Sequence, residues 1–470
     1  MVFFAFLVFS LLIFRLPSRR LAAALAVGSL LAVAACVPLE QTGGAGASAA
    51  TTTDYYRPPL QTADVVYDPN IHSVQCFVAT GDITERLLPP IVPLSQEQPI
   101  RLEFDRLNAD PQRLVVKLQL CNADWSPTDL VDMQFLSDIN EFYITEYYSS
   151  ATTQVPYYHY RFTLPRVKLT GNYAVHVSDP DGRPLLTRRV CVYDNAVVVN
   201  MREGIPPGGT ARAWQQVDFD VVYGALPIIN PVQMVQVRLR QNYRWDNNRF
   251  PLQPTFVREQ ERRLDYQFFN FENAFPGGRE FRFFDTRSLR APGFNVAALD
   301  PQSVPRAVVL APEIRRNLVA YEQVNDINGF FLTDNREYGN GDTNGDYAAT
   351  TFQLRYDPDD AGQDLWPAGD IYAVGQMTDW QLRPEFKLTY NAERKAYLGT
   401  ALLKQGYYNY LFAHVAPGKA PDYQFLEGSR FETENAYDLF VYYRAPGTRY
   451  DQIIAYRQLV LNGRNVLRRR

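Results

Sequence analysis

The sequence predicts an all-β protein made of several immunoglobulin-like β-sandwich domains in series. Three observations predict it. Apolar and polar residues alternate with a period of two in run after run, such as RLVVKLQL (113–120) and GNYAVHVSD (171–179), the pattern of half-buried strands. Tyr and Phe are abundant, at 30 and 29 residues, and both suit pleated surfaces. Gly, Pro, Asn and Asp punctuate these runs at short intervals, and almost no stretch carries the 3.6-residue period of a long helix.

Residues 1–35 contain no acidic residue and carry Arg15, Arg19 and Arg20 ahead of LAAALAVGSLLAVAA (21–35). A basic region, a short apolar run and small residues at the junction predict an export signal. At fifteen residues the run falls short of the roughly 20 needed to span a bilayer. The run 1–14 ahead of the arginines is not needed by such a signal, which is complete from about Leu16 onward. Val33-Ala34-Ala35-Cys36 resembles a bacterial lipobox, in which the cysteine is lipidated and becomes the first residue. Val37, where Asp would retain the protein, points to the outer membrane. The single acid that follows closely, Glu40, gives no cluster for display on the cell surface, so the periplasmic face is expected. Residues 36–57 include QTGGAGASAATTTD, small and polar, and read as a flexible tether.

Beyond residue 35, 435 residues remain, too many for one core. The expected domains are 58–195, 196–345 and 346–470. The first holds VQCFVAT (74–80), PIRLEFDRL (99–107) and RLVVKLQL, which turns at CNADWSPTDL (121–130). It returns as YYHYRFTLP (157–165), GNYAVHVSD and LLTRRVCVYD (185–194). Tyr173, Val175 and Val177 share one strand face, while Ala174, His176 and Ser178 share the other. DPDGRP (179–184) is hairpin chemistry, because Asp181 and Gly182 tolerate positive φ. At the earlier turn, Ser126, Pro127 and Asp129 fall at the cap, first and third positions of a short helical turn. Trp125, flanked by apolar strands, is expected to pack inside and pin that turn. The second domain holds VDFDVVYG, VQMVQVRLRQN (232–242) and the aromatic stretch 265–285, with EGIPPGGTAR (203–212) as a loop. The third holds DIYAVGQMTDW (370–380), EFKLTY (385–390), YNYLFAHV (408–415) and IIAYRQLVL (453–461), after a seam near YGNGDTNGDY (338–347).

Chemistry is sparse. His72, His159, His176 and His414 stand far apart, with no metal-ligand spacing and no Cys-x-x-Cys. His159 and His176 could meet across strands, but outward-facing strand residues are the expectation. Asp342, Asn344 and Asp346 mimic the start of a calcium loop, yet Gln353 stands where an EF-hand needs Glu, so a turn is expected. Asp359 and Asp360 are turn residues. No nucleophile elbow, phosphate-cradling loop or zinc-protease motif is present. Cys76, Cys121 and Cys191 are an odd set, either small buried hydrophobes or one bridge with a free thiol. Without the signal, 44 basic residues face 51 acidic ones, a net charge of −7. That balance, with only Arg468–Arg470 and paired arginines elsewhere, excludes a nucleic-acid surface.

CNADWSPTDL, the Tyr-rich return strand, TLPRVKLTGNYAVHV and LLTRRVCVYD together resemble the plug protein family of the bacterial type IX secretion system. The similarity continues through QQVDFDVVYG (215–224), DINGFFLTDN (326–335) and LKQGYYNYLF (403–412), over nearly the whole mature chain. It marks Cys121, Asn122, Asp124 and Trp125 as a family signature of structural character. It implies a non-catalytic protein, without cofactor or small-molecule substrate, that binds the outer-membrane translocon barrel and closes its periplasmic opening when idle. The alternative is an outer-membrane glycan-binding lipoprotein. GQMTDWQ, with Trp380, is similar to the tryptophan region of starch-binding-type immunoglobulin-like modules, but it lacks supporting aromatics, so packing is the expectation there.

Overall fold

Alternation along the strand Gly171–Ser178 divides its side chains as the sequence predicts. Tyr173, Val175 and Val177 enter the core of the first domain, while Ala174 on the opposite face enters a separate buried cluster. The computed structural model describes residues 60–463, apart from 83, 96, 209–211, 225 and 361–364. The export signal, Cys36, the tether and Arg468–Arg470 lie outside the described residues. No helix among the described residues is long and apolar enough to cross a membrane.

In the first domain, two sheets face each other. One centres on Leu114–Cys121, Gly171–Ser178 and Pro184–Tyr193; the other contains Ile71–Val78, Ile100–Leu107, Tyr157–Thr163 and Glu146–Ser149. Between them lie Leu102, Phe104, Val116, Tyr160 and Tyr173, with Phe104 stacked on Tyr160 at 5.2 Å. The hairpin at 179–184 forms as expected. Gly182 has φ +76°, and its amide donates to the carbonyl of Asp179 at 3.0 Å.

The second domain does not end where the sequence suggests. Val235–Gln241 pairs on one side with Asn248–Leu252 and on the other with Asn435–Tyr443, which in turn pairs with Gln452–Leu461. The expected third-domain strand 453–461 therefore belongs to the second domain's sheet. Its core joins Phe219, Val237 and Tyr266 to Tyr437, Leu439 and Val441. Conversely Arg282–Asp285, expected in the second domain, pairs with Gly406–Val415 and delivers Phe284 to a third core beside Phe352, Tyr410 and Phe412. Nine strands, among them Tyr347–Arg355, Ala396–Lys404 and Gly406–Val415, form one continuous sheet around that core. The third domain is thus inserted into the second, and strands on both sides of position 345 share sheets.

The two crossings of this insertion run side by side. The amide of Arg430 donates to the carbonyl of Gly278 at 2.8 Å, and the amide of Gly277 to that of Ala213 at 2.9 Å. A Cβ at Gly277 would lie 2.1 Å from the Arg430 oxygen, so the close approach requires glycine.

Candidate functional site at the domain seams

The turn that carries the sequence signature is not helical. Asp124 Oδ1 accepts from both the amide and the hydroxyl of Ser126, at 2.9 and 2.6 Å. Partial burial works against the Asp124 carboxylate, but those two bonds hold it below the usual range. Pro127 bridges back to Cys121, and the first helical residue is Asp132. An Asx turn thus takes the place of the expected Ser126 cap, because Asp124 reaches the same donors first. Trp125 sits at φ +70°, a conformation held by what surrounds it.

Those surroundings combine Arg189 of the first domain with residues of the second. The buried Trp125 ring meets Trp245 edge to face at 4.9 Å. The Arg189 guanidinium lies 4.3 Å from the Trp125 centroid and 5.1 Å from that of Trp245. Arg240 covers Trp245 at 3.8 Å while pairing with the fully buried Asp438. The turn's backbone is gripped as well. The Ala123 amide donates to Asp451 at 2.9 Å, Arg238 donates to the Ala123 carbonyl at 2.7 Å, and Arg444 donates to Asn122 Oδ1 at 3.0 Å. Cys121, Ala123 and Trp125 therefore share one buried cluster with Phe440, Tyr442 and Ile453. The signature residues lock the first domain to the second.

A different arrangement joins the first domain to the inserted one. Glu103 and Asp105 project from Ile100–Leu107, opposite His159 and Arg161 on Tyr157–Thr163. His159 is buried, not outward-facing, and its Nδ1 lies 2.8 Å from Asp105 Oδ1. From the inserted domain, Lys404 and Tyr347 donate to Asp105 Oδ2 at 2.6 and 2.7 Å. Burial pushes the Asp105 carboxyl up, yet Lys404 and His159 bring it below the usual range. Arg86 donates to Glu103 and to Asp342 of the inserted domain at 2.5 and 2.7 Å, and Arg161 reaches the same two carboxylates. Glu103, His159 and Asp342 bring donor atoms within 4.8 Å of one another, a combination that suits a small metal site. Each carboxylate, however, already holds arginines, and three acids face three bases, so the cluster acts as a salt-bridge network. His176, on the other sheet, is buried against Thr187 and does not meet His159. Its pKa is lowered to about 4 by burial.

The remaining candidates are structural. Trp380 takes Arg244 of the second domain over its ring at 4.0 Å and Phe281 at its edge, so one face is covered. Asp346 binds Arg306 and the amides of Gln154 and Val155, and Asp342 turns to Arg86, so the two do not converge on a calcium ion. Cys121 and Cys191 both register opposite Asn172, two strand spacings or about 9.6 Å apart, beyond disulfide reach. All three described cysteines are free, and burial raises each thiol to about 12.

Residues 71–194, which contain the signature turn and one side of both seams, match the family model of the type 9 secretion system plug protein 1st domain. The first domain is of the type IX secretion plug family. The chain is also similar to the crystal structure of a hypothetical protein from Parabacteroides merdae ATCC 43184. The two share 27% identity over 86% of this chain and all of the other, with a TM-score of 0.79. No curated protein matches the chain. The plug-family domain gives the chain a role associated with type IX secretion, hence with the cell envelope. The ion network was missed from sequence, although a signal existed. Glu103 and Asp105 alternate on one strand, as His159 and Arg161 do on another, which is complementary charge on two strand faces.

Proposed function

We propose that the chain is a non-catalytic stopper of the type IX secretion translocon. It binds the outer-membrane barrel and closes its periplasmic opening when no substrate is passing. The match of residues 71–194 to the plug-protein domain carries this reading. A pore wide enough for folded proteins leaks when empty, and stopping it takes shape and contact area rather than catalytic groups. A stopper must also hold its shape against a moving partner, and the two seams supply that stiffness. Lipid on Cys36 keeps the protein at the periplasmic face of the outer membrane, near the barrel it serves. A stable docked complex buries on the order of 1,200–2,000 Å² and remains reversible, since a plug that never leaves blocks secretion. The test is deletion of the gene, which leaves the translocon assembled but makes cells permeable to large molecules normally kept out of the periplasm. Impermeable deletion strains, together with no co-purification of the barrel, would overturn the proposal.

A further inference from the structure

Where the three domains meet, they enclose a cavity of about 330 Å³, within the range of small-ligand pockets. The first domain contributes Asp64 and Arg189, the second Tyr243 and Trp245, and the inserted domain Gln376 and Trp380. These six residues are half-buried rather than sealed in a core. Asp246, also in the wall, has a side chain 40% exposed, so the cavity is open to solvent.

The charges in this wall do not all cancel. Arg188 pairs with Asp379 at 3.2 Å, Arg240 with Asp438 at 2.5 Å, and Asp246 with Arg244 at 2.5 Å. Arg189 and Asp64 are left without an ion pair among the described residues. The Arg189 side chain donates only through Nε, to the Thr62 carbonyl at 2.8 Å, and the Asp64 carboxylate accepts only the Arg189 amide at 2.7 Å. Burial pushes the Asp64 carboxyl up by more than Arg188 and Arg189 bring it down. One cation and one anion thus reach the cavity with hydrogen-bonding capacity to spare. Tyr243, Trp245 and Trp380 make their contacts through their rings, which leaves a hydroxyl and two indole N–H groups for a ligand.

The backbone around the cavity is unusual as well. Asn242, Tyr243, Asn328, Asp379 and Trp380 all line it with φ between +51° and +60°. Bulky residues rarely adopt the left-handed region, and such conformations gather where a structure is shaped around a ligand.

We propose that this cavity binds a small zwitterion, an α-amino acid with an apolar or aromatic side chain. Its carboxylate meets the Arg189 guanidinium, its ammonium meets Asp64, and its side chain lies against the apolar part of the wall, Val74, Pro90, Ile91 and Phe330. A ligand so placed touches all three domains at once, so its binding stabilises their junction. The site is independent of how the protein meets the barrel.

The test titrates the purified full-length protein by calorimetry with three probes. They are L-phenylalanine, phenylpropionate, which lacks the ammonium, and phenylethylamine, which lacks the carboxylate. Wild type should bind L-phenylalanine about ten-fold or more tighter than either half-probe, since one charge-assisted contact is worth at least that factor. Its melting temperature should rise with L-phenylalanine. Asp64→Asn keeps an acceptor for the Arg189 amide; it should weaken L-phenylalanine by about ten-fold or more and leave phenylpropionate unchanged. Arg189→Met should weaken phenylpropionate and leave phenylethylamine unchanged. No heat and no melting shift with L-phenylalanine at about 10 mM overturns the proposal. So does a wild type that binds L-phenylalanine and phenylpropionate equally, or L-phenylalanine binding that survives unchanged in both variants. The comparison of probes is made on wild type, so it decides the matter even where a variant fails to fold.

Discussion

The first domain is held on two flanks by opposite chemistries. Toward the second domain, rings and guanidinium planes stack on Trp125 and Trp245. Toward the inserted domain, Asp105, Glu103 and Asp342 are met by Lys404, Arg86 and Arg161. The stacked seam gains from apolar burial and from arginines that keep their charge while lying flat on rings. The ionic seam gains little net energy over an apolar packing, because desolvating six charges offsets much of their attraction. It does penalise any misplacement, since a lone buried charge is costly. One seam supplies adhesion and the other supplies register.

The comparison can be broken most directly at Trp125. Trp125→Ala removes the ring from between Arg189 and Trp245 and should cost about 3–5 kcal/mol, the usual range for a buried large aromatic. Denaturant unfolding measures it; an unchanged midpoint would mean the ring carries no packing. Lys404→Met comes next, at about 3 kcal/mol, near the lower end for an orphaned buried charge, because His159 and Tyr347 still hold Asp105. Adding Asp105→Asn should recover part of that loss, and a double variant no better than the single would show that register does not depend on the pair. Arg189→Met sharpens the stacked side. Its loss should be about 1–2 kcal/mol, a partly desolvated cation–π contribution, and should hardly vary with salt.

A further expected effect is in pH dependence. Glu280, at the root of the inserted domain, is pushed up to about 7 by burial, with Asp326 and Glu434 nearby adding to the shift. The folded state therefore holds its proton more tightly than the unfolded chain. That stability is fully present below the ordinary value of 4.5 and is lost as pH rises through about 7. Glu280→Gln should flatten the fall in melting temperature across that window. Glu427 has the opposite sign. Burial opposes its charge, but Arg282 and Arg316 hold it at about 2, so its contribution is present above 4.5 and lost only as pH falls toward 2. A Glu280→Gln variant that melts like wild type at every pH would remove Glu280 as a source of the slope.

Strand positions in this chain could be read from the sequence because alternation is local. The faces of Gly171–Ser178 and the 179–184 hairpin follow from side-chain period and turn chemistry alone. Sheet partnership is not local, and there the reading failed. Nothing within IIAYRQLVL says that it lies two strands from Val235–Gln241, and nothing in REFRFFD says that Phe284 packs beside Tyr410. The position of the signature turn follows from the sequence, but its cap does not, because Ser-Pro-x-Asp fits a helix start as well as it fits the Asx turn that Asp124 imposes. His159 looked like a solvent-facing residue because the face it occupies is external to its own sandwich and becomes internal only against the inserted domain.

That insertion sets an order of events in time. The strand Val235–Gln241 meets its partner Asn435–Tyr443 only after about 200 further residues have emerged. The second domain therefore stays open-edged while the first domain and the insert fold as the chain appears from its N-terminus. Closure by Asn435–Tyr443 and Gln452–Leu461 uses strands that follow the insert in chain order. These same strands bring Phe440, Tyr442 and Ile453 to the Trp125 cluster. Completing the second domain and completing the cluster around Trp125 thus draw on the same two strands.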